Sequence, residues 1–258
     1  MVGPFRRAAD RRIVRVRGSI GCSPMEVVTV TGHHELRWGG FAGLGFVVLA
    51  AIAVLLPGLA PMLTDSDREI TTWISDSRTQ LLASSLLWAA GAGLIIWFAA
   101  AFAEAIRERE ERSDVHLALL AGAVLVGGAV FVTAAGQAIM AYGEAGRDPG
   151  LTLAMFEGVS VLNSVIGVAA TLPLVAAGIG VLRTHLMPDW LGYLALAAAA
   201  VSVIGAFGVF FTDGAMVAGG RLSAMIPLLA SGIWVACTSA YMVREHLPQM
   251  TPMGLPQT

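Results

Sequence analysis

Between Leu151 and Pro188 a long apolar run carries polar and small residues at Glu157, Ser160, Asn163, Ser164, Gly167, Thr171 and Gly178. Steps of three and four residues set most of them along one side of a helix, with Asn163 beside them, while Val161, Val165, Val168, Leu172, Val175 and Ile179 make the other side uniformly apolar. The chemistry open to such a set is hydrogen bonding and, at Glu157, exchange of a proton or cation. An ionisable group inside an apolar run is a functional candidate by default. Asn163 lies about 9 Å further along the helix than Glu157 at 1.5 Å per residue. Gln137, in the preceding apolar run, reaches the same level if the two runs pack as antiparallel helices, and the three would then line an outward-facing polar cavity. The competing reading is structural. An acid in the first turns of a helix is favoured by the helix dipole and has Arg147 for an ion pair, and Asn163 and Gln137 suit hydrogen bonds between helices. Ser160, Ser164, Gly167 and Thr171 are positions for close helix packing.

The elements that hold these residues are membrane spans. Apolar residues make up 56% of the 258 positions and charged residues 13%, against roughly 25% charged in a soluble domain. Six runs are of spanning length: Gly39 to Met62, Thr79 to Ile106, Val115 to Tyr142, Leu151 to Pro188, Trp190 to Phe211 and Leu222 to Val243. The fold class expected is therefore all-α, a polytopic bundle of six transmembrane helices over residues 36–244. An arginine-rich tail at 1–35 and a proline-containing tail at 245–258 are too poor in core-forming residues to fold. After the first span, Ser66-Asp67-Arg68-Glu69 is a capping-box pattern, and Ile70, Trp73 and Ile74 share a helical face. A short helix is expected there in the interface, anchored at headgroup level by Trp73.

Six spans put both termini on one side. All sixteen basic residues are arginine. Twelve fall on the side of the termini (six in the tail, then Arg37, Arg107, Arg109, Arg112, Arg183 and Arg244), and four on the other: Arg68, Arg78, Arg147 and Arg221. The excess of arginine in cytoplasmic segments places both termini in the cytoplasm and the chain in the cell membrane. For the tail itself two readings stand: a polybasic strip on anionic lipid, at about 1 kcal/mol per arginine near the surface, or translation that begins at Met25.

Leu186-Met187-Pro188-Asp189-Trp190-Leu191-Gly192-Tyr193 resembles the inner-loop signature of a six-span bacterial membrane family whose domain has no assigned function, in which a Pro-x-Trp-Leu-Gly turn joins the fourth and fifth helices. The resemblance covers about Arg37 to Arg244, including Trp234 in the last span. It implies architecture and supplies no catalytic residue. Arginine without lysine, and abundant alanine, glycine and valine, suit a GC-rich genome such as an actinobacterium's.

Other chemistry finds little footing. Cys22 and Cys237 lie in environments too different for a disulfide framework or a metal knuckle. His33, His34, His116, His185 and His246 all flank the expected cytoplasmic ends of spans, where Glu35 or Asp114 would complete a shared metal site, but no two are spaced i, i+4. No histidine lies inside a span to ligate haem. Neither a nucleophile elbow nor a phosphate-binding glycine loop occurs. The expectation is thus a non-enzymatic protein without cofactor or metal. It meets the lipid bilayer and no nucleic acid, with a membrane protein or a second copy of the chain as candidate partner. Two function classes remain: first a small-solute permease lined by the fourth span, and as the alternative a non-transporting accessory or scaffold protein that binds partners within the bilayer. No similarity between residues 38–142 and 151–243 marks inverted repeats.

Overall fold

The computed structural model describes residues 32–110, 113–143, 149–211, 217 and 220–245, with side chains at 32–35, 143, 149, 221 and 245 excepted. Among the described residues there are seven α-helices and no strand: α1 (Gly32–Leu55), α2 (Asp67–Asp76), α3 (Arg78–Arg109), α4 (Val115–Gly143), α5 (Pro149–Thr184), α6 (Asp189–Ala206), which a 3-10 turn at Phe207–Phe210 continues, and α7 (Arg221–Glu245). All but α2 are long and apolar enough to cross a bilayer. The chain is an integral membrane protein with an all-α, six-span fold. The expected tails at 1–35 and 245–258 lie almost wholly outside the described residues.

The spans form a closed ring. α1 packs on α3, α3 on α4, α4 on α5, α5 on α6, α6 on α7, and α7 back on α1. Neighbours run antiparallel, so the ring has two faces. The terminal face gathers the start of α1 and the end of α7. The α2 face carries the short helix.

Glycines set the closest approaches. A Cβ placed on Gly43 of α1 would overlap both the Ser239 hydroxyl of α7 and the Phe98 ring of α3. On α5, Cβ atoms at Gly167 and Gly178 would stand 2.8 Å from the Ser202 carbonyl oxygen and 2.9 Å from that of Gly192 on α6. Without a strong hydrophobic force between helices in lipid, such approaches are what dispersion and weak polar contacts need.

Two boundaries differ from expectation for identifiable reasons. The first helix stops at Leu55, not Met62, because Pro57 disfavours helical geometry in the residue before it and removes a donor. α2 begins where the capping pattern puts it, with the Ser66 hydroxyl accepting from the Glu69 N–H at 3.4 Å. It does not rest on Trp73 alone. Ile70 and Ile74 are buried with Leu81 of α3, Met140 and Ala141 of α4 and Phe156 of α5, and Trp73 meets the Phe156 ring edge-on at 6.3 Å.

Helix length then divides the bundle. α5 has 36 residues, about 54 Å at 1.5 Å each, against a hydrocarbon layer of about 30 Å. α6 with its 3-10 turn has 22 residues, about 33 Å. Only His185 to Pro188 separate the two helices at the terminal face, with His185 in the left-handed region at φ 47° and its Nδ1 3.0 Å from Asp189 Oδ1. All of the excess in α5 therefore projects at the α2 face. The contacts of Gly167 with Ser202 and of Gly178 with Gly192 set a register in which Phe210 is level with Ser160. The first turns of α5, the end of α4, the start of α3 and α2 form a cap beyond the end of α6.

Candidate functional site

The polar residues of α5 separate into three groups. Ser160 and Ser164 are buried, and the Ser164 hydroxyl donates to the Ser160 carbonyl at 3.3 Å. Gly167 meets α6, and the Thr171 hydroxyl donates to the Gly167 carbonyl at 3.1 Å. These are packing positions, and the Ser164 and Thr171 hydroxyls each bond a carbonyl of their own helix. Glu157 is exposed. Its height on α5 is past Phe210, so it sits on the flank of the cap and not in a wall shared with α6. Arg147, its candidate partner, lies outside the described residues.

Asn163 is the exception on its stripe. Phe156 and Leu174, seven residues before it and eleven after, point within about 20° of it on an α-helix. Both are buried, yet Asn163 is exposed. It is level with the C-terminus of α6, where the neighbouring helix gives way to the 3-10 turn.

Gln137 takes part in a different network. Its Nε2 donates to the Ser84 hydroxyl of α3 at 3.4 Å, and that hydroxyl donates to the Ala53 carbonyl of α1 at 2.8 Å. The amide ties α4 to α3 and, through Ser84, to α1. Glu157 thus lies level with the cap, Asn163 level with the end of α6, and Gln137 is bonded at the α3–α4 seam; no hydrogen bond among the described residues joins the three.

The centre of the ring, toward the terminal face, is filled. Phe98 and Phe102, one turn apart on α3, stack with centroids 6.0 Å apart, and Trp234 of α7 stands against them at 5.9 and 6.2 Å. The indole N–H crosses the interior to the Leu191 carbonyl of α6 at 3.2 Å. Around these rings one continuous core takes buried residues from every span, from Ala42 through Leu119, Val181 and Ala195 to Met242. Trp234 was visible in the sequence as a family-like residue. The i, i+4 pair Phe98/Phe102 is legible in the sequence as an aromatic pair on one helical face, but nothing local marks it as the centre of the bundle.

A second polar place holds Asp114, a candidate ligand by sequence, and Arg183, one of the arginines of the terminal side. A cleft of 470 Å³ opens at the terminal face, lined by Glu110, Ser113, Asp114, Val115, Ala118 and Arg183. The break between α3 and α4 creates it: the Glu110 N–H closes α3 on the Ile106 carbonyl, and the Ser113 hydroxyl accepts from the Val115 N–H at 3.4 Å to start α4. Glu110 Oε2 is buried and has no hydrogen-bond partner among the described residues.

The two histidines with described side chains have separate partners. His116 Nδ1 lies 2.8 Å from the Ser113 carbonyl and His185 is engaged with Asp189. His33, His34, Glu35 and His246 have side chains outside the described residues. No three His, Cys, Asp or Glu side chains among the described residues are placed to hold a metal ion. Compared with protein-family profiles, with curated proteins and with solved structures, the chain matches none.

Proposed function

We propose that this protein is a non-enzymatic, non-transporting membrane protein, an accessory or scaffold that binds partners within the bilayer. The observation that carries the reading is the single core joining all six spans around Phe98, Phe102 and Trp234. A permease would have to open this core, and the Ser84, Ser164 and Thr171 hydroxyls and the Gln137 amide are spent on Ala53, Ser160, Gly167 and one another, which leaves the buried Thr238 and Ser239 hydroxyls of α7 without a partner among the described residues. In this reading both termini are cytoplasmic. It is supported by Arg37, Arg107, Arg109, Arg183 and Arg244 at the terminal face against Arg68 and Arg78 at the α2 face. The six-span family resemblance of Leu186 to Tyr193 belongs to the same proposal, since the Pro188 turn joins α5 to α6 as that pattern requires.

A second reading, the small-solute permease, is favoured by one observation, the exposure of Asn163 on a stripe where Phe156 and Leu174 are buried. Stopped-flow shrinkage of proteoliposomes in small neutral and charged solutes separates the two. The scaffold reading expects solute entry no faster than in empty liposomes. Entry that the protein accelerates, and that Asn163→Ala abolishes with the melting temperature unchanged, would overturn it in favour of the permease. Single cysteines at Asp76 and Arg109, in a background without Cys22 and Cys237, test orientation in intact cells: an impermeant reagent should label the first and spare the second.

A further inference from the structure

The terminal-face cleft brings together two acidic side chains and one basic one, Glu110 partly buried, Asp114 and Arg183 exposed. Glu110 directly follows α3, Asp114 directly precedes α4, and Arg183 stands in the last turn of α5. Neither Asp114 nor Arg183 makes an ion pair among the described residues, although both share the cleft with Glu110. Glu110 Oε2, buried without a donor, is the sharper anomaly, because a buried carboxylate oxygen is normally hydrogen-bonded.

We propose that the cleft binds the headgroup of a phosphatidylethanolamine-type lipid, its primary ammonium on Glu110 and Asp114 and its phosphate on Arg183. An ammonium brings three N–H donors and no acceptor, which meets the need of Glu110 Oε2 and leaves a donor for Asp114. A guanidinium offers a planar fork that matches a phosphate. Among the described lining residues two carboxylates stand against one guanidinium, a balance that opposes a purely anionic headgroup. The cleft lies where three spans leave the membrane, and Val115 and Ala118 in the first turn of α4 supply an apolar side. That setting favours a lipid over a free solute. The inference goes beyond the scaffold reading and does not depend on it.

The test is native mass spectrometry of the full chain titrated with phosphatidylethanolamine, phosphatidylcholine and phosphatidylglycerol of one acyl composition. A quaternary ammonium keeps the charge of the headgroup but has no N–H to give. Ethanolamine lipid should therefore bind about tenfold more tightly than choline lipid, the ratio set by one charge-assisted hydrogen bond, and more tightly than glycerol lipid. Glu110→Gln should erase the preference for ethanolamine over choline. Asp114→Asn, at an exposed position that folding tolerates, should reduce it. Arg183→Gln should weaken ethanolamine and choline lipids alike, since the phosphate is common to both. Equal binding of the two lipids to the unmodified chain, or a preference that survives both acid substitutions, overturns the proposal. Soluble phosphoethanolamine that competes at the concentration of the lipid overturns the assignment to a lipid.

Discussion

The two ends of the bundle are built on different principles. Toward the terminal face, six helices close on one another over glycines, and the space they leave is filled by large rings: Phe98, Phe102 and Trp234 all lie within 4% of full burial. Toward the α2 face only three spans continue. α3, α4 and α5 run past α6, and a ten-residue helix packs Ile70 and Ile74 into the small core they share. One end is a membrane interior held by shape. The other is a small amphipathic assembly of the kind a soluble protein makes, capped by Ser66 and sealed by aliphatic side chains. Damage to the first should be felt by the whole chain, and damage to the second should stay local.

The strongest test of that contrast is Phe102→Ala. The ring is fully buried between Phe98 and Trp234, and deletion of a buried phenylalanine side chain costs about 3–5 kcal/mol. Thermal unfolding in detergent should show one transition moved sharply down, with the yield of folded protein reduced. Ile74→Ala removes an equally buried side chain, at a cost of about 2–5 kcal/mol at most, but here the loss can be relieved by release of α2. Protease cleavage around Thr72 and Ser75 should rise several-fold while the main transition moves much less than in Phe102→Ala. A global collapse of Ile74→Ala equal to that of Phe102→Ala would merge the two regions into one cooperative unit.

A smaller and opposite-signed pair is Gly43→Ala and Gly158→Ala. At Gly43 the added methyl meets Ser239 and Phe98, and overpacking of this sort costs about 1–3 kcal/mol. At Gly158, on the cap segment of α5, nothing lies within 4 Å of the added carbon. Alanine there gains helix propensity, about 0.5–1 kcal/mol. The melting temperature should fall for the first and hold or rise for the second.

The contrast also explains what the sequence discloses. Apolar length determines the six spans, and Ser66 to Glu69 with Ile70 and Ile74 determines α2, because these signals are local and each is read within one element. The extents of Val115 to Tyr142 and of the last span agree with α4 and α7 closely for the same reason. The cavity reading rested instead on relative heights of neighbours. Gln137 does reach the level of Ser84 on one side, but its amide turns to α3, and nothing in the spacing of α4 alone states which neighbour it faces. Likewise a run from Leu151 to Pro188 has no internal mark for where its neighbour ends. α6 ends at Ala206 and its 3-10 turn at Phe210, so Glu157, inside an apolar run by sequence, stands past the end of the adjacent helix. The cleft of Glu110, Asp114 and Arg183 combines a helix break with the end of a helix some seventy residues on, a juxtaposition that only the fold creates.

Glu157→Gln is the substitution that should do least, and for that reason it discriminates most finely. The glutamine keeps the shape and most of the hydrogen-bonding capacity and removes the charge. If Glu157 lined a transport path, loss of the charge would abolish solute movement or its response to pH while the fold held. Its place on the flank of the cap, exposed, beyond α6 and in the third turn of α5, asks nothing of the charge, since the helix-dipole effect falls off within the first turn. The melting temperature, the proteoliposome permeability and the lipid preference of the terminal-face cleft should therefore all match the unmodified protein within error. A mutant that folds normally but changes permeability would move Glu157 from the flank into a working wall, and would require the cap and the filled core to open together as one transport pathway.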